Sequence, residues 1–187
     1  MKKVLLLTAL VGFSPLAFAN TTIDFEQYAN FTQITNQYSA QDATFTDAEQ
    51  LVAPDYDYID YPPHSGNGVI TDDPNDPITV DFATSVENVT GWYSDYFGVT
   101  VTAYSGLDGT GSVLGVFDGA SAYGSNAEFS LGVTGIHSIV IDDGIDTPDF
   151  MTVDDLGYTV TPEPDSLILF GTGLLAMVGM MRRKLHQ

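Results

Sequence analysis

Gly98-Val-Thr-Val-Thr-Ala-Tyr104 and Ser112-Val-Leu-Gly-Val-Phe117 flank a glycine-rich stretch, Ser105-Gly-Leu-Asp-Gly-Thr-Gly111. The first flank alternates small apolar residues with threonine and tyrosine, which is the period of a strand with one buried face. Glycine accepts the positive φ angles that tight turns need. This stretch therefore predicts an antiparallel β-hairpin.

The rest of the region from residue 20 to residue 160 repeats this alternation in short segments and shows no long 3.6-residue period. The alternating segments are residues 21–26, 43–46, 68–71, 78–82, 127–131, 137–141 and 150–158. Many short strands separated by turns are typical of sandwiches and jelly rolls. The sequence therefore predicts an all-β fold, an antiparallel jelly-roll-like β-sandwich of about ten strands. Residues 47–77, with five prolines, are the predicted long loop region.

The N-terminus has the three parts of a Sec-type signal peptide. Met1-Lys2-Lys3 is positively charged, residues 4–13 are apolar, and Ala17-Phe18-Ala19 is a small-x-small cleavage site before Asn20. The pattern predicts a signal peptide at residues 1–19, export, and a mature chain that starts at Asn20. The absence of cysteine excludes disulfides, thiolate metal sites and cysteine nucleophiles.

The C-terminus combines a helix breaker, an apolar run and a basic end. Thr161-Pro162-Glu163-Pro164 precedes residues 167–181, which carry no charge, and Arg182-Arg183-Lys184 follows. A helix over the apolar run would be about 23 Å long, somewhat short of a hydrocarbon core of about 30 Å. The positive-inside rule places the basic end in the cytoplasm. These features predict a marginal transmembrane helix within a tail at residues 161–187.

The three parts, in this order at the C-terminus, resemble the PEP-CTERM sorting signal of bacteria that produce exopolysaccharide. In that family an intramembrane enzyme called exosortase is thought to recognise the motif and process the protein near it. The resemblance implies an exosortase-type partner, anchorage in the inner membrane before processing, and a final location in the cell envelope or outside the cell. The alternative is an ordinary membrane anchor that is not processed. The sorting residues it implies are Pro162, Glu163, Pro164, Arg182, Arg183 and Lys184.

The charge between the two targeting segments has one sign only. The chain has 25 acidic and 5 basic residues. The basic residues are Lys2, Lys3, Arg182, Arg183 and Lys184, so residues 20–160 contain 23 carboxylates and no lysine or arginine. Such a domain repels nucleic acid and lacks the cations that clamp phosphates. Nucleic-acid binding is therefore excluded, and an exported protein can offset the self-repulsion with divalent cations.

Three short segments also resemble the β-sandwich found on many proteins with this tail. They are residues 23–26, 89–93 and 150–156. The fold is shared with carbohydrate-binding modules, in which a structural Ca²⁺ often lies near the first and last strands. Position by position, the resemblance implies Glu26, Asp154 and Asp155 as calcium ligands.

One acidic stretch has the composition of a calcium loop, independently of that resemblance. Asp142, Asp143, Asp146 and Asp149 supply four carboxylates within eight residues, and a glycine and a proline bend the chain between them. Residues 55–60 and 72–76 are poorer versions, and no stretch has the EF-hand spacing. The alternative is that all these acids form a solvated surface.

No residue pattern predicts catalysis. His64 and His137 are the only histidines between residues 20 and 160, and neither shows a metal-binding spacing or lies near a Gly-x-Ser-x-Gly motif. A glycosidase needs only two carboxylates at a suitable separation. A secreted carbohydrate-active enzyme with paired carboxylates therefore stays as the alternative to a non-enzymatic protein.

The aromatic residues point to carbohydrate. Trp92, Tyr93, Tyr96 and Phe97 crowd one stretch, and Tyr56, Tyr58 and Tyr61 alternate in another. Sugar rings stack their C–H faces on aromatic planes, although aromatic rings also fill sandwich cores. We predict sugar stacking at Tyr56, Tyr58, Tyr61 and Trp92.

Together these features predict an exported, non-enzymatic protein of the cell envelope or extracellular matrix, associated with exopolysaccharide or another envelope glycan and binding Ca²⁺.

Overall fold

The computed structural model describes residues 19–72, 76–144 and 150–161, together with the glycines at 171 and 173. The predicted signal peptide before residue 19 and the predicted helix at 167–181, those two glycines apart, lie outside the described residues. Within the part that is described, no helix has both the length and the apolar character needed to cross a membrane.

The described residues form ten β-strands and one short 3-10 helix at Ser39–Gln41. The strands are β1 (Ala19–Ile23), β2 (Thr32–Ile34), β3 (Ala43–Thr46), β4 (Ala48–Val52), β5 (Gly68–Asp72), β6 (Ile78–Ser94), β7 (Thr100–Tyr104), β8 (Val113–Asp118), β9 (Ala127–Asp142) and β10 (Thr152–Val160).

All the strand pairs are antiparallel, and they join in the order β2-β4-β5-β10-β6-β9-β7-β8. The first strand β1 pairs with the last strand β10, and β3 pairs with the first part of β6. The long strands β6 and β9 run side by side through the centre. The predicted antiparallel all-β fold is confirmed, and so is the hairpin of β7 and β8.

Strand β6 pairs with different strands along its length. This change of partner lets a single continuous series of paired strands fold around a core. Its residues 79–82 pair with β3, and its residues 86–94 pair with β10. Between these parts the register against β9 shifts by several residues, from Asp81 opposite Ser138 to Val86 opposite Ile136. Such bulges bend a strand and increase its twist. The inward side chains of both parts, such as Phe82 and Val89, therefore reach the same buried cluster.

Several details of the predicted strands were wrong, and strand β2 was not predicted. Residues 127–131 and 137–141 belong to the single strand β9, because register shifts against β6 carry the pairing past the glycines between them. Residues 78–82 are only the first part of the 17-residue β6. Strand β1 ends at Ile23, since Phe25 has a φ of 54° and turns the chain. Strand β4 lies in the predicted loop region.

Candidate functional site

Three carboxylates from the two ends of the domain hold the loop that leads into β5. Glu26 Oε1 accepts hydrogen bonds from the backbone N–H groups of Asn67 and Gly68, at 2.9 and 2.8 Å. Asp154 Oδ2 accepts from the N–H groups of His64 and Ser65, both at 2.8 Å. We call Glu26, Asp154, Asp155 and residues 64–68 the loop clamp.

His64 adds a nitrogen to this clamp. Its Nδ1 lies 2.7 Å from Asp155 Oδ2, and Ser65 Oγ donates to Asp155 Oδ1 at 3.1 Å. The His64 ring stacks on Trp92, with ring centres 3.8 Å apart and an angle of 6° between the planes. The loop therefore covers one face of the only tryptophan, and the contact joins residues that are far apart in the sequence.

The clamp places a carboxylate where water cannot solvate it. Asp154 is buried, and this burial raises its pKa to about 6, although the N–H groups of Ser65, Asp155 and His64 act in the opposite direction. The Tyr56 hydroxyl is buried and has no hydrogen-bond partner among the described residues. Burial first, and then the charges of Asp154 and Glu26, raise the pKa of Tyr56. A negative potential therefore builds up inside the clamp, with no lysine or arginine in the domain to balance it.

A second buried oxygen lies near Gly68, at the end of the clamp. The Gln50 amide donates from Nε2 to the carbonyl oxygens of Leu51 and Val69, while its Oε1 has no partner among the described residues. A Cβ atom at position 68 would lie 2.2 Å from the Phe25 carbonyl oxygen and 2.9 Å from Gln50 Nε2. The Phe25 carbonyl, the Gln50 amide and the Glu26 carboxylate therefore converge on this glycine.

The clamp can present ligands to a metal ion. One ligand atom each from His64, Asp154 and Asp155 lies within 4.8 Å of the others. Of the predicted calcium stretch, Asp142 is exposed and its Oδ1 accepts the Gly144 N–H at 2.8 Å, while Asp143 is half-buried. The other two members of that stretch, Asp146 and Asp149, lie outside the described residues.

A chain of aromatic rings lies at one end of the sandwich. Tyr96 contacts both Phe97 and Tyr123 edge-on, with ring centres 4.8 and 5.1 Å apart, and Tyr123 contacts Tyr61 at 5.5 Å. Tyr96, Phe97 and Tyr123 are 51%, 56% and 43% exposed. We call Tyr61, Tyr96, Phe97 and Tyr123 the aromatic surface.

Two aspartates fix the loops that carry these rings. Asp95 Oδ1 accepts the N–H groups of Phe97, at 2.7 Å, and Gly98, and its carbonyl accepts the Ala122 N–H at 2.8 Å. Asp60 accepts the Tyr123 hydroxyl at its carboxylate and the Gly124 N–H at its carbonyl. The hydrogen bond to Asp60 raises the pKa of Tyr123 to about 12. The rings therefore sit in loops that buried or paired carboxylates hold in place.

The predicted sugar-stacking residues occupy different environments. Tyr61 belongs to the aromatic surface, and Phe150 lies 4.7 Å behind it. Tyr58 is exposed, whereas Tyr56 is half-buried beside Phe150. Trp92 is half-buried under His64.

A polar groove of about 410 Å³ runs along β1, β10 and β6. Threonine and asparagine side chains line it, among them Asn20, Thr22, Asn88 and Thr159. The Thr159 hydroxyl donates to Asn20 Oδ1 at 2.8 Å, so the first residue of the predicted mature chain is paired with the last strand. The only ring in its lining is that of Tyr158, which is buried, so the groove offers no exposed plane for stacking.

Sequence reasoning set His64 aside because it shows no metal-binding spacing, did not predict Tyr96 and Phe97 as stacking residues, and missed Gln50 and Tyr123. The partners of His64 lie about 90 residues further along the chain, and no local spacing reports such a contact. The sequence signal that could have indicated this contact is the pair Asp154-Asp155, which lies inside an otherwise apolar segment. A carboxylate buried in a strand needs N–H donors, and a neighbouring loop must supply them.

Comparisons with known proteins support the tail and the fold. Residues 160–184 match the PEP-CTERM protein-sorting motif. Two adhesin domains of Lys-gingipain have a similar fold, K1 from Porphyromonas gingivalis W83 and K2. K2 aligns at a TM-score of 0.53 with 12% identity, covering 75% of this chain and 99% of the adhesin domain. K1 aligns at 0.51 with 12% identity, covering 77% and 99%. No curated protein shows significant sequence similarity.

Proposed function

We propose that a chain with this sorting motif delivers a non-catalytic, glycan-binding β-sandwich to the cell envelope or the surrounding matrix. The observation that carries the proposal is the aromatic surface, where three neighbouring rings are about half exposed. Soluble domains seldom leave such rings clustered on the outside without a partner. Sugar rings fit this surface because their C–H faces stack on aromatic planes while carboxylates accept hydrogen bonds from the hydroxyl groups.

We expect the Tyr61→Ala and Tyr96→Ala variants each to bind the exopolysaccharide of the producing cells about tenfold more weakly than the unmodified protein. Each substitution removes one stacking plane and leaves the buried strands unchanged. Leu107→Ala is the matched control, because Leu107 is also about half exposed but lies at the far tip of the β7–β8 hairpin. Affinity electrophoresis in gels that contain the polysaccharide measures the difference.

Two results would contradict the proposal. Unchanged retention of both tyrosine variants would remove the aromatic surface from the function. New reducing ends in the polysaccharide after incubation with the purified protein would instead favour the alternative, a glycosidase that uses two of the carboxylates.

The sorting motif and the N-terminal pattern support a route for this protein. The proposed route is export through the Sec pathway, anchorage in the inner membrane by the C-terminal helix, and processing near Pro162-Glu163-Pro164 by an exosortase-type enzyme. Mass spectrometry of the protein from producing cells tests it. We expect a chain that starts at Asn20 and lacks the basic end, whereas an intact C-terminus would contradict processing.

We also propose that the loop clamp binds Ca²⁺. The carboxylates suit this ion, which prefers oxygen ligands: Asp154 and Asp155 each offer an oxygen within 4.8 Å of the other, and Glu26 holds the other end of the same loop. The buried Gln50 Oε1 has no hydrogen-bond partner among the described residues, and a cation bound beside it would satisfy this oxygen. Bound calcium would neutralise the carboxylates that join the first and last strands to residues 64–68.

Calcium at 100 times its dissociation constant is expected to stabilise the protein by about 2.7 kcal/mol. The melting temperature should rise with millimolar Ca²⁺ and fall in chelator, and Glu26→Gln should reduce the rise. Asp24→Asn, at an exposed carboxylate two residues away, is the control. A flat response to Ca²⁺ would end the proposal, as would stabilisation by Zn²⁺ alone, because zinc would indicate a site centred on the His64 nitrogen.

A further inference from the structure

The charge of the domain restricts which glycan the aromatic surface can accept. All ionised side chains between residues 20 and 160 are carboxylates, apart from whatever charge His64 and His137 carry. A polysaccharide of uronic acids or sulfated sugars would therefore meet like charge on every side. Neutral glycans avoid this repulsion, and cationic glycans gain from the charge.

The immediate surroundings of the aromatic surface favour a cation over a neutral ring. Asp60 holds Tyr123, and the charges of both Asp60 and Asp57 act on its hydroxyl. Asp57 is exposed, and its carbonyl accepts the Tyr61 N–H at 3.0 Å, so its position is tied to the same surface. Exposed tyrosine and phenylalanine faces attract ammonium groups through cation–π interaction. Carboxylates beside aromatic faces thus complement a ring that carries an amino group.

Resting on the function proposed above, we infer that the aromatic surface recognises a polysaccharide with free amino groups, such as a polymer of 2-amino sugars without N-acetylation. Each protonated amine would lie against a ring face or beside Asp57, while the sugar C–H face stacks on the neighbouring ring. N-acetylation removes the positive charge of the amino sugar and leaves the sugar ring unchanged. Comparing the free and the acetylated polymer therefore shows whether the protein recognises the charge or only the stacking face.

The test measures binding of the mature protein to three soluble hexamers by isothermal titration calorimetry. The probes are glucosamine hexamer, N-acetylglucosamine hexamer and an oligouronate of the same length, at slightly acidic pH. We expect the glucosamine hexamer to bind at least tenfold more tightly than the acetylated one and the oligouronate not to bind. The preference should shrink as salt is raised, because exposed charges are screened.

Two variants assign the preference to residues. Asp57→Asn should reduce the preference for the amine severalfold and leave binding of the acetylated hexamer unchanged. Glu87→Gln is the control, since Glu87 lies seven residues before Ser94 in β6, at most about 23 Å away, and is paired with Thr159, which lines the polar groove.

The outcomes distinguish this inference from the proposed function. Equal binding of the two hexamers, with loss in the Tyr61→Ala variant, would keep glycan binding and overturn the amino-sugar preference. Tighter binding of the oligouronate in Ca²⁺ would overturn it in favour of a bridging cation. Loss of binding in Glu87→Gln would transfer the site to the groove and overturn the assignment to the aromatic surface. No binding of any hexamer or of the native polysaccharide would reject the proposed function itself.

Discussion

The Asp72→Asn variant is expected to be more stable than the unmodified protein at pH 8, by up to about 4 kcal/mol. Asp72 ends strand β5 and is only 8% exposed. Burial, together with the nearby charge of Asp143, raises its pKa from 3.8 to about 7, against the opposing effect of backbone hydrogen bonds and of a hydrogen bond from Thr71. Asparagine keeps the shape of this side chain and removes the buried charge.

The sign of the pH dependence follows from the direction of the shift. A carboxyl group whose pKa is raised by folding binds its proton more tightly in the folded state. The contribution of Asp72 to the free energy of unfolding is therefore fully present below about pH 4 and is lost as the pH rises through about 7. Asp154, with its pKa raised to about 6, gives a loss of the same sign between about pH 4 and 6, and this part persists in the variant.

Denaturant unfolding at each pH unit from 4 to 8, in the presence of chelator, measures how the free energy of unfolding changes with pH in the unmodified protein and in the variant. The free energy of unfolding of the unmodified protein should fall between pH 4 and 7, and that of Asp72→Asn should fall less. Asp24→Asn removes one exposed carboxylate and controls for the general reduction in negative charge. Parallel pH profiles for the variant and the unmodified protein would show that Asp72 does not hold a buried proton.

The sequence predicts strands well where one face is apolar and the alternation is unbroken. Strand β3 has the predicted bounds because Ala43 and Phe45 are buried and Thr44 and Thr46, which alternate with them, are exposed. Strand β4 was missed because the polar residue Gln50 occupies a fully buried position in it. The carbonyls of Leu51 and Val69 satisfy the Gln50 Nε2 group there, and this compensation is visible only in the folded structure.

The candidate sites show the same division between local and tertiary information. Local composition marked the crowded stretch that contains Tyr96 and Phe97, but the sugar-stacking prediction took Trp92 from that stretch, and Trp92 is half-buried under His64. The contribution of Tyr123 depends on Asp60, more than 60 residues away, and on the loop that Asp95 holds. Tyr93, in the same crowded stretch, faces the core, since neighbouring residues in a strand point to opposite faces. Which ring is exposed is therefore decided by register and by long-range carboxylate contacts.

Replacing Phe129 with alanine is expected to cost about 3–5 kcal/mol of stability. In that background the effect of a second substitution, Gly91→Ala, should change from destabilising to neutral or stabilising. Phe129 is fully buried in β9, directly opposite Gly91 in β6. Its ring covers the glycine so closely that a Cβ at position 91 would lie 2.4 Å from Phe129 Cζ. Gly91→Ala alone must therefore displace the ring, at a cost of about 1–3 kcal/mol.

Once the ring is gone, the same methyl group enters the space that it left. Alanine also restricts the unfolded chain more than glycine does, which favours folding by about 0.4–1 kcal/mol at a compatible position. Gly91→Ala should therefore be neutral or stabilising in the Phe129→Ala background, with a coupling of about 1–4 kcal/mol between the two sites. Chemical denaturation of the four proteins of this double-mutant cycle measures the coupling. If the two costs simply add, the ring does not lie over Gly91, and the register between the two central strands must be different.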